Sequence, residues 1–459
     1  MKEFFEDFSE MQDVPDKIAY TSKFNSNRAV YQNLGIYKTR NGYHTGRYAG
    51  ITWLRNEEGQ VKVSTNNEEK VMLKIIPRFD LKIDDMIQKI AEDEEFFDYL
   101  CSDQPDGDKM FTFFLNEEML EVEKDENGAN LIMVVITFVH ALYQETRRSL
   151  IKKIIRKEEN FTGKVKGKII FNKQISKNLA KGREERVYCG YVEKSEDIFE
   201  NQVLKIALNK ANDFLNSKGS KINNSQINRE IKACQLRLSK VADLESVEPE
   251  DVEKIKLPAM YSNYEFLLKL AQILITSVSM TSKVKNESNK IIPYAVNMPL
   301  LFECYVRTLI KENIKDTGYR MLKFVPDKSA SYNEEHGMKT IEGNYYISGK
   351  VVPDIVLVKE ENGKKKIIVL DAKYKKMNWT EKDSFRLLEE NPGRREDRLQ
   401  LLAYNQLYQP EWCGHVVPRF TLNGCDVRNP LCFTRLSNDE KIYTMIRIRD
   451  GKITMKGLL

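Results

Sequence analysis

The chain has 459 residues, and its 73 basic and 68 acidic side chains give a formal net charge of +5. The mean hydropathy of −0.52 and the 41% of hydrophobic residues are ordinary for a globular protein, and the length predicts two or three domains. The longest apolar run, 131–139, is too short for a bilayer span, the seven cysteines lack zinc spacing, and the acidic N-terminus is unlike a signal peptide. We therefore expect a cytoplasmic protein with no membrane segment, zinc site or disulfide framework.

Residues 1–160 are predicted to form an N-terminal domain that is rich in strands at first and helical later. Short β-prone runs at 48–54, 61–64 and 71–76 are separated by Gly and Asn residues, which predicts a meander. Helices are predicted near 83–101, 110–120 and 130–157, the last because it contains the long apolar run.

Residues 161–285 are predicted to form a middle region that begins with strands and becomes mostly helical. Residues 163–178 form a basic strand-and-turn segment, and 183–186 form a charged loop whose simplest interpretation is a solvated surface. Apolar residues at helical spacing then predict helices near 196–217, 224–242 and 262–282.

The C-terminal region, residues 286–459, contains a strong β-hairpin signal. Two apolar, β-branched runs flank Asn362-Gly363, a dipeptide that favours a type I′ turn because both central residues need positive φ. With these two residues as the loop, Glu361 pairs with Lys364. Near-continuous apolar strands of this kind are expected where both faces of a sheet are covered.

The same register places Asp354 opposite Asp371, with Lys373 two residues further on the same face. Two opposed carboxylates between apolar strands repel each other unless a cation is bound, and Mg²⁺ prefers one or two carboxylates plus phosphate oxygens. A neighbouring lysine can orient or deprotonate water, or stabilise charge in the transition state. The pattern predicts metal-assisted phosphodiester hydrolysis; the alternative is a solvated hairpin with charged ends, since 31% of the residues are charged.

A helix is predicted before the hairpin, at residues 298–310. Its apolar positions 298, 301, 302, 305 and 309 form one stripe. Glu303 lies at the border of that stripe, from which its carboxylate can reach inward. The alternative is an ordinary surface glutamate near Arg307.

A second helix is predicted after the hairpin, at residues 396–407. The predicted apolar stripe consists of Leu399, Leu402, Ala403 and Leu407. Gln400 and Tyr404 form an i, i+4 pair beside it. Gln400 is a candidate site residue, and a surface or capping glutamine is an equally good interpretation of its spacing.

Pro353-Asp354 followed by Asp371-Ala372-Lys373 resembles the motif of the PD-(D/E)xK nuclease superfamily. The resemblance implies that Asp354, Asp371 and the main-chain carbonyl of Ala372 bind the metal and that Lys373 is the catalytic lysine. It also implies that Glu303, on the preceding helix, and Gln400, on the following helix, belong to the site. The implied cofactor is Mg²⁺, with Mn²⁺ as a possible substitute.

Residues 167–172, 175–179, 183–193 and 195–205 resemble a more specific family, McrC, the nuclease subunit of McrBC modification-dependent restriction systems. Phe302-Glu303 and residues 400–404 fit that family too, so the resemblance runs from about 160 to 410. It implies a mixed α/β multidomain fold: a β-rich N-terminal domain that binds a partner, a mostly helical middle, and a C-terminal PD-(D/E)xK restriction-endonuclease-like domain.

The McrC resemblance also implies two partners, DNA and a GTP-hydrolysing AAA+ protein of the McrB type that the chain stimulates. No Walker A sequence occurs here, so a motor would have to come from another chain. The expected function is that of an antiviral restriction endonuclease subunit. The alternatives are a non-catalytic adaptor that activates an AAA+ NTPase, and a stand-alone nuclease with its own N-terminal DNA-recognition domain.

Overall fold

The structure of the chain is a computed structural model. It describes residues 2–5, 20–24, 28–31, 36–39, 42–44, 47–53, 61, 70, 72–77, 79, 81–95, 110–115, 117–123, 128–217, 222, 224–283, 288–322, 353–375, 392–418, 431–434, 441–448, 453 and 455. None of the described helices combines the length and apolar character that a bilayer span requires.

The described strands are β1 Lys2–Phe5, β2 Tyr20–Phe24, β3 Arg28–Tyr31, β4 Ile36–Thr39, β5 Gly42–His44, β6 Tyr48–Trp53, β7 Met72–Ile76, β8 Phe111–Phe113, β9 Leu120–Glu123, β10 Lys153–Thr162, β11 Lys168–Ile169, β12 Arg186–Ser195, β13 Ser288–Ile291, β14 Tyr294–Asn297, β15 Arg320–Met321, β16 Ile355–Glu361, β17 Lys364–Ala372, β18 Trp412–Pro418, β19 Leu431–Thr434 and β20 Lys441–Ile448. The described α-helices are α1 Ile83–Ala91, α2 Gly128–Arg148, α3 Phe171–Lys177, α4 Phe199–Asn216, α5 Ser225–Arg237, α6 Pro249–Glu253, α7 Ser262–Lys283, α8 Met298–Asn313 and α9 Pro392–Tyr408.

The chain forms two compact units, both discontinuous in sequence. Unit 1 comprises Met1–Met133, Ile222–Asn224 and Ile291–Leu459, and unit 2 comprises Val134–Lys221 and Ser225–Lys290. The sequence suggested three consecutive regions divided near residues 160 and 285. In the structure, the N-terminal and C-terminal segments belong to one unit because β14 pairs with both β6 and β8.

The first sheet of unit 1 has the order β1-β7-β6-β14-β8. β6 and β7 pair directly with each other and are antiparallel, which differs from the predicted meander, in which the strand at 61–64 separated them. Most of 61–64 lies outside the described residues. The helix predicted at 110–120 is wrong, since Phe111–Phe113 is a strand. The ring of Phe111 stacks on Tyr294, with centroids 5.2 Å apart, so a partner distant in sequence determines its conformation.

The second sheet of unit 1 has the order β15-β16-β17-β18-β20-β19, with parallel pairs only where β18 meets β17 and β20. Side chains from α9 cover one face, where Leu401, Tyr404 and Tyr408 pack on Val356 and Val369. On the other face, Ile355, Leu357, Ile368 and Leu370 are completely buried. The predicted burial of both faces of these strands is therefore confirmed.

Unit 2 contains a three-stranded sheet of order β10-β12-β11 and a group of helices. The predicted helices at 196–217, 224–242 and 262–282 are confirmed as α4, α5 and α7. The helix predicted to run to 157 ends at Arg148, and Lys153 begins a ten-residue strand paired with β12. The predicted strand-and-turn segment at 163–178 is also wrong in part, because Phe171–Lys177 is helical.

Candidate active site

The hairpin that carries the acidic pair has the predicted turn and register. Asn362 and Gly363 have φ values of 53° and 74°, as a type I′ turn requires. The ladder runs from Glu361 opposite Lys364 to Ile355 opposite Leu370. Asp354 and Asp371 occupy the next position along it, at the end of the hairpin remote from the turn.

Asp354 lies in a bend just before β16, and its side chain crosses to the neighbouring strand. The main-chain N–H of Ala372 donates to Asp354 Oδ2 at 2.7 Å. Burial, followed by the nearby charges of Glu303 and Asp371, raises the pKa of Asp354 well above its usual value. Three carboxylates therefore lie close enough to interact, and their mutual repulsion favours a bound proton or a bound cation.

Asp371 lies within β17 and is only 1% exposed. Its Oδ2 is 2.6 Å from Lys373 Nζ, and its Oδ1 accepts a hydrogen bond of 3.2 Å from the hydroxyl of Tyr404. The Lys373 main-chain N–H donates to Val416 O on β18 at 2.8 Å. The backbone on both sides of the acidic residue is therefore fixed by the sheet.

Lys373, Gln400, Tyr404 and Asp371 form a closed ring of polar contacts. Lys373 Nζ donates to Gln400 Oε1 at 3.0 Å, Gln400 Nε2 contacts the Tyr404 hydroxyl at 2.7 Å, and that hydroxyl reaches Asp371. Burial lowers the pKa of Lys373, but the charge and hydrogen bond of Asp371, with Asp354 and Asp397, outweigh it, so the pKa is raised. The lysine is therefore a cation in this structure.

The helix that supplies Gln400 is rotated relative to the prediction. Leu399 and Leu402, predicted to face the core, are 54% and 46% exposed. The stripe that packs on the sheet consists of Leu401, Tyr404 and Tyr408. Because the helix lies in this orientation, Gln400 reaches Lys373, and Tyr404 is fully buried against the sheet.

Asp397 is a site residue that the sequence reasoning did not select. It is 6% exposed, receives hydrogen bonds from Lys375 Nζ at 2.9 and 3.0 Å, and lies 3.9 Å from Lys373 Nζ. Its spacing of three from Gln400 and seven from Tyr404 puts the three residues on one helical face. That spacing is the signal that could have identified it.

His415 is a second residue that the sequence reasoning missed. It lies on β18 directly beside Asp371 in the parallel ladder and is 3% exposed. Burial, together with the charges of Lys373 and Lys375, lowers its pKa to about 3. The imidazole is therefore neutral at physiological pH, and nothing in its local sequence indicates its place next to the hairpin.

Glu303 is half-buried on α8, and the apolar stripe predicted for that helix is confirmed, since Met298, Leu301, Phe302, Tyr305 and Leu309 are all buried. Phe302 packs on Tyr374 with ring centroids 5.5 Å apart, and Phe79 makes an edge contact with Tyr374, with centroids 4.9 Å apart. This aromatic cluster anchors the segment that follows β17 and carries Lys373.

Within the described part of the chain, no set of three or more His, Cys, Asp or Glu side chains encloses a metal position as the side chains stand. The residues nevertheless fit a hard cation. Asp354, just before β16, and Asp371, on β17, supply carboxylate oxygens, and the Ala372 carbonyl is between Asp371 and Lys373. Burial and the charges of Glu303 and Asp371 raise the pKa of Asp354, and a divalent ion would offset both effects.

The exposed basic segment of the middle region lies in unit 2, where it contains β11 and α3. Phe171, Ile175 and Leu179 are 70%, 55% and 52% exposed there, among the exposed lysines of 164–181. At the start of β12, Arg186 has a long ion pair of 3.7 Å with Glu185. Exposed apolar side chains among lysines are more typical of a docking surface than of a purely solvated loop.

The sequence matches the family model described as McrBC 5-methylcytosine restriction system component over residues 59–414. This chain belongs to the McrBC family. The predicted relationship is thus confirmed, and the matched region contains the hairpin, Glu303 and Gln400. No curated protein matches the chain.

Two solved structures resemble the McrBC-family chain at low sequence identity. One is the refined half-complex from a tetradecameric assembly of Thermococcus gammatolerans McrB AAA+ hexamers with bound McrC: 14% identity, TM-score 0.35, 98% of this chain and 97% of that chain. The other is the Thermococcus gammatolerans McrBC complex: 13% identity, TM-score 0.29, 68% and 88% coverage. Both TM-scores are low, so the family assignment rests on the sequence model.

Proposed function

We propose that this McrBC-family chain is the metal-dependent DNA endonuclease subunit of a modification-dependent restriction system. The observation that carries the proposal is the ring of Asp371, Lys373, Gln400 and Tyr404 with Asp354 held beside it, all at one end of a buried hairpin. We assign the second sheet of unit 1, with the helices before and after the hairpin, to the PD-(D/E)xK restriction-endonuclease-like class.

Asp354, Asp371 and the carbonyl of Ala372 would hold the cation, with Mg²⁺ the expected ion and Mn²⁺ a possible one. When bound there, the ion would supply Lewis-acid polarisation of a phosphoryl oxygen and would lower the pKa of water. Glu303 would contribute a third carboxylate to the same negative region.

Lys373 would act as the catalytic lysine. Since it is protonated in this structure, the better of its two possible roles is to stabilise negative charge on the phosphoryl group as water attacks phosphorus and the P–O bond breaks. Gln400 would fix the position of the ammonium group through its Oε1. Tyr404 would orient Asp371 by donating to Oδ1, and Asp397 would balance the charge of Lys375 beside the site.

The partner part of the proposal is a GTP-hydrolysing AAA+ protein of the McrB type. It is supported by the family membership and by the lack of a Walker A sequence in this chain. In the Thermococcus gammatolerans assembly, McrC is bound to McrB AAA+ hexamers, and we propose the same kind of partner here. The chain would deliver the nuclease, and the partner would supply the energy from GTP hydrolysis.

The test is cleavage of methylated DNA by the wild type and by Asp371→Ala. Each protein is assayed alone and with its proposed AAA+ partner and GTP. We expect Mg²⁺-dependent cleavage by the wild type with its partner and none by Asp371→Ala. Equal cleavage by both proteins would refute the assignment of the hairpin as the active site.

A non-catalytic adaptor is the second candidate function, and the exposed apolar side chains of unit 2 would supply the partner-docking surface that it needs. An adaptor would stimulate GTP hydrolysis by the partner while cleaving no DNA under any metal condition. Stimulation of GTP hydrolysis is expected of both functions, in the wild type and in Asp371→Ala. DNA cleavage by the wild type with its partner separates them, because only the endonuclease subunit should cleave. Cleavage by the chain alone would instead favour a stand-alone nuclease.

A further inference from the structure

Arg307 is a buried charged residue whose contacts lead to the site but which the proposed chemistry does not use. It is 3% exposed and lies on α8 one helical turn after Glu303. A buried guanidinium is costly unless its donors and its charge are matched. Its partners therefore indicate what holds it there.

The guanidinium bridges two neighbouring strands. Arg307 Nη1 donates to the main-chain carbonyl of Asp354, and Nη2 donates to the carbonyl of Leu322 at 3.0 Å. Leu322 follows β15, and its own N–H donates to Val356 O at 2.9 Å. The arginine therefore joins the two strands next to this main-chain hydrogen bond.

The charge of Arg307 is balanced by Glu95, whose Oε1 is 3.3 Å from Nη2. Glu95 also pairs with Lys311, and Lys311 binds Asp93 at 2.9 and 3.0 Å. Nη2 is thus shared between the Glu95 carboxylate and the Leu322 carbonyl, whereas Nη1 contacts the Asp354 carbonyl. A planar fork can span two acceptors in this way, whereas a lysine ammonium is a single point of charge.

We propose that Arg307 is a positioning residue for the metal-binding carboxylate of Asp354. Two hydrogen bonds define the bend at this residue: Arg307 holds its carbonyl, and the Ala372 N–H holds its Oδ2. Together they fix the direction of the carboxylate before any cation arrives. This inference rests on the proposed metal-dependent function, and it adds a residue that acts through Asp354 without touching metal or DNA.

The experiment is a titration of Mn²⁺ into metal-free protein by calorimetry, with the metal dependence of DNA cleavage as the second readout. Arg307→Lys keeps the charge but cannot span both carbonyls, so we expect the Mn²⁺ dissociation constant to rise about tenfold or more. Cleavage should then recover at high Mn²⁺, which a general loss of structure would not allow. Lys311→Met is the matched control, because it removes a cation from the same helix and from the same acidic partners, and its Mn²⁺ affinity should remain within about twofold of wild type.

A folded Arg307→Lys protein with wild-type Mn²⁺ affinity would overturn the inference. Should Arg307→Lys fail to fold, Glu95→Gln takes its place, because it keeps the guanidinium but removes its charge partner. A weakened Mn²⁺ affinity in that variant supports the inference, and an unchanged affinity overturns it. If the wild type itself binds no Mn²⁺ and cleaves no DNA, the proposed function is refuted, and the role of Arg307 is refuted with it.

Discussion

Two polar networks, one in each unit, differ in charge. In unit 2, the side chains of Asn160, Gln174 and Asn178 bond to one another at 2.8 Å, and Gln174 Oε1 also accepts the N–H of Tyr188 at 2.7 Å. Every member is neutral, and together they fasten α3 to the sheet. In unit 1, the hairpin site contains Glu303, Asp354, Asp371 and Lys373. The pKa values of Asp354 and Lys373 are both raised.

The comparison teaches how to separate a structural network from a functional one. Buried amides satisfy their donors and acceptors without leaving net charge, so they stabilise the fold at little electrostatic cost. The carboxylates of the hairpin repel one another, and a fold gains nothing from keeping them together. Displaced pKa values at such a cluster therefore point to function.

The largest effect is expected from removing the cation of the charged network. Lys373→Ala should lower the rate of Mg²⁺-dependent DNA cleavage at saturating metal by about 10²- to 10³-fold, because the transition state loses a positioned positive charge. Single-turnover cleavage measures this rate. Lys365→Ala, an exposed lysine on the same strand, is the control and should cleave as the wild type does. A Lys373→Ala rate within about threefold of wild type would exclude a catalytic role.

A smaller effect is expected from the residue that orients Asp371. Tyr404→Phe keeps the buried ring but removes the hydroxyl that reaches Asp371 Oδ1 and Gln400. The rate of cleavage should fall about 10- to 100-fold, as is usual for groups that orient a metal ligand. Circular dichroism should show an unchanged fold, since the packing on Leu401 and Tyr408 remains. An unaltered rate would make the ring of contacts purely structural.

The sequence predicts those parts of the charged network that are brought together by residues close to one another in the chain. The Asn362-Gly363 turn determines the register, and through it the meeting of Asp354 and Asp371, within a short stretch of chain. His415 comes beside Asp371 only because β18 joins the sheet in parallel. No short-range pattern contains that pairing.

The same physical reason explains the errors in the predicted elements. Phe111–Phe113 is a strand because it pairs with β14, which is far away in the sequence. The stripe predicted for α9 is wrong at Leu399 and Leu402, which are exposed although they resemble core residues in sequence, and correct at Leu407, which packs against the core. The sheet instead selects Leu401, Tyr404 and Tyr408, and two of these are aromatic residues whose size fills the space above Val356 and Val369.

A pH effect should distinguish the charged network from the neutral one. The pKa of Asp354 is raised in the folded protein above its ordinary value of 3.8. Its contribution to stability is therefore present at pH values below about 4 and is lost as the pH rises towards the raised pKa, by at most roughly 1.4 kcal/mol per pH unit. Urea unfolding in the presence of a chelator should show a weaker pH dependence for Asp354→Asn than for wild type. Identical pH profiles for wild type and Asp354→Asn would mean that the carboxylates of the site do not repel one another.

The smallest effect on the site is expected from breaking the neutral network. Asn178→Ala should lower the free energy of unfolding by about 2 kcal/mol, because it leaves Gln174 and Asn160 with unmatched polar groups. Its Mn²⁺ affinity should equal that of wild type, since the network contains no charged group. A parallel loss of Mn²⁺ affinity would erase the distinction between the two networks.

The most direct test of the central claim is calorimetric titration of Mn²⁺ into the metal-free wild type, Asp371→Asn and Asn178→Ala. The claim predicts saturable binding by the wild type and by Asn178→Ala, because Asp354 and Asp371 are intact in both proteins. It predicts no binding by Asp371→Asn, although this variant should fold. Equal binding by wild type and Asp371→Asn would contradict the claim that the hairpin is a metal-dependent active site.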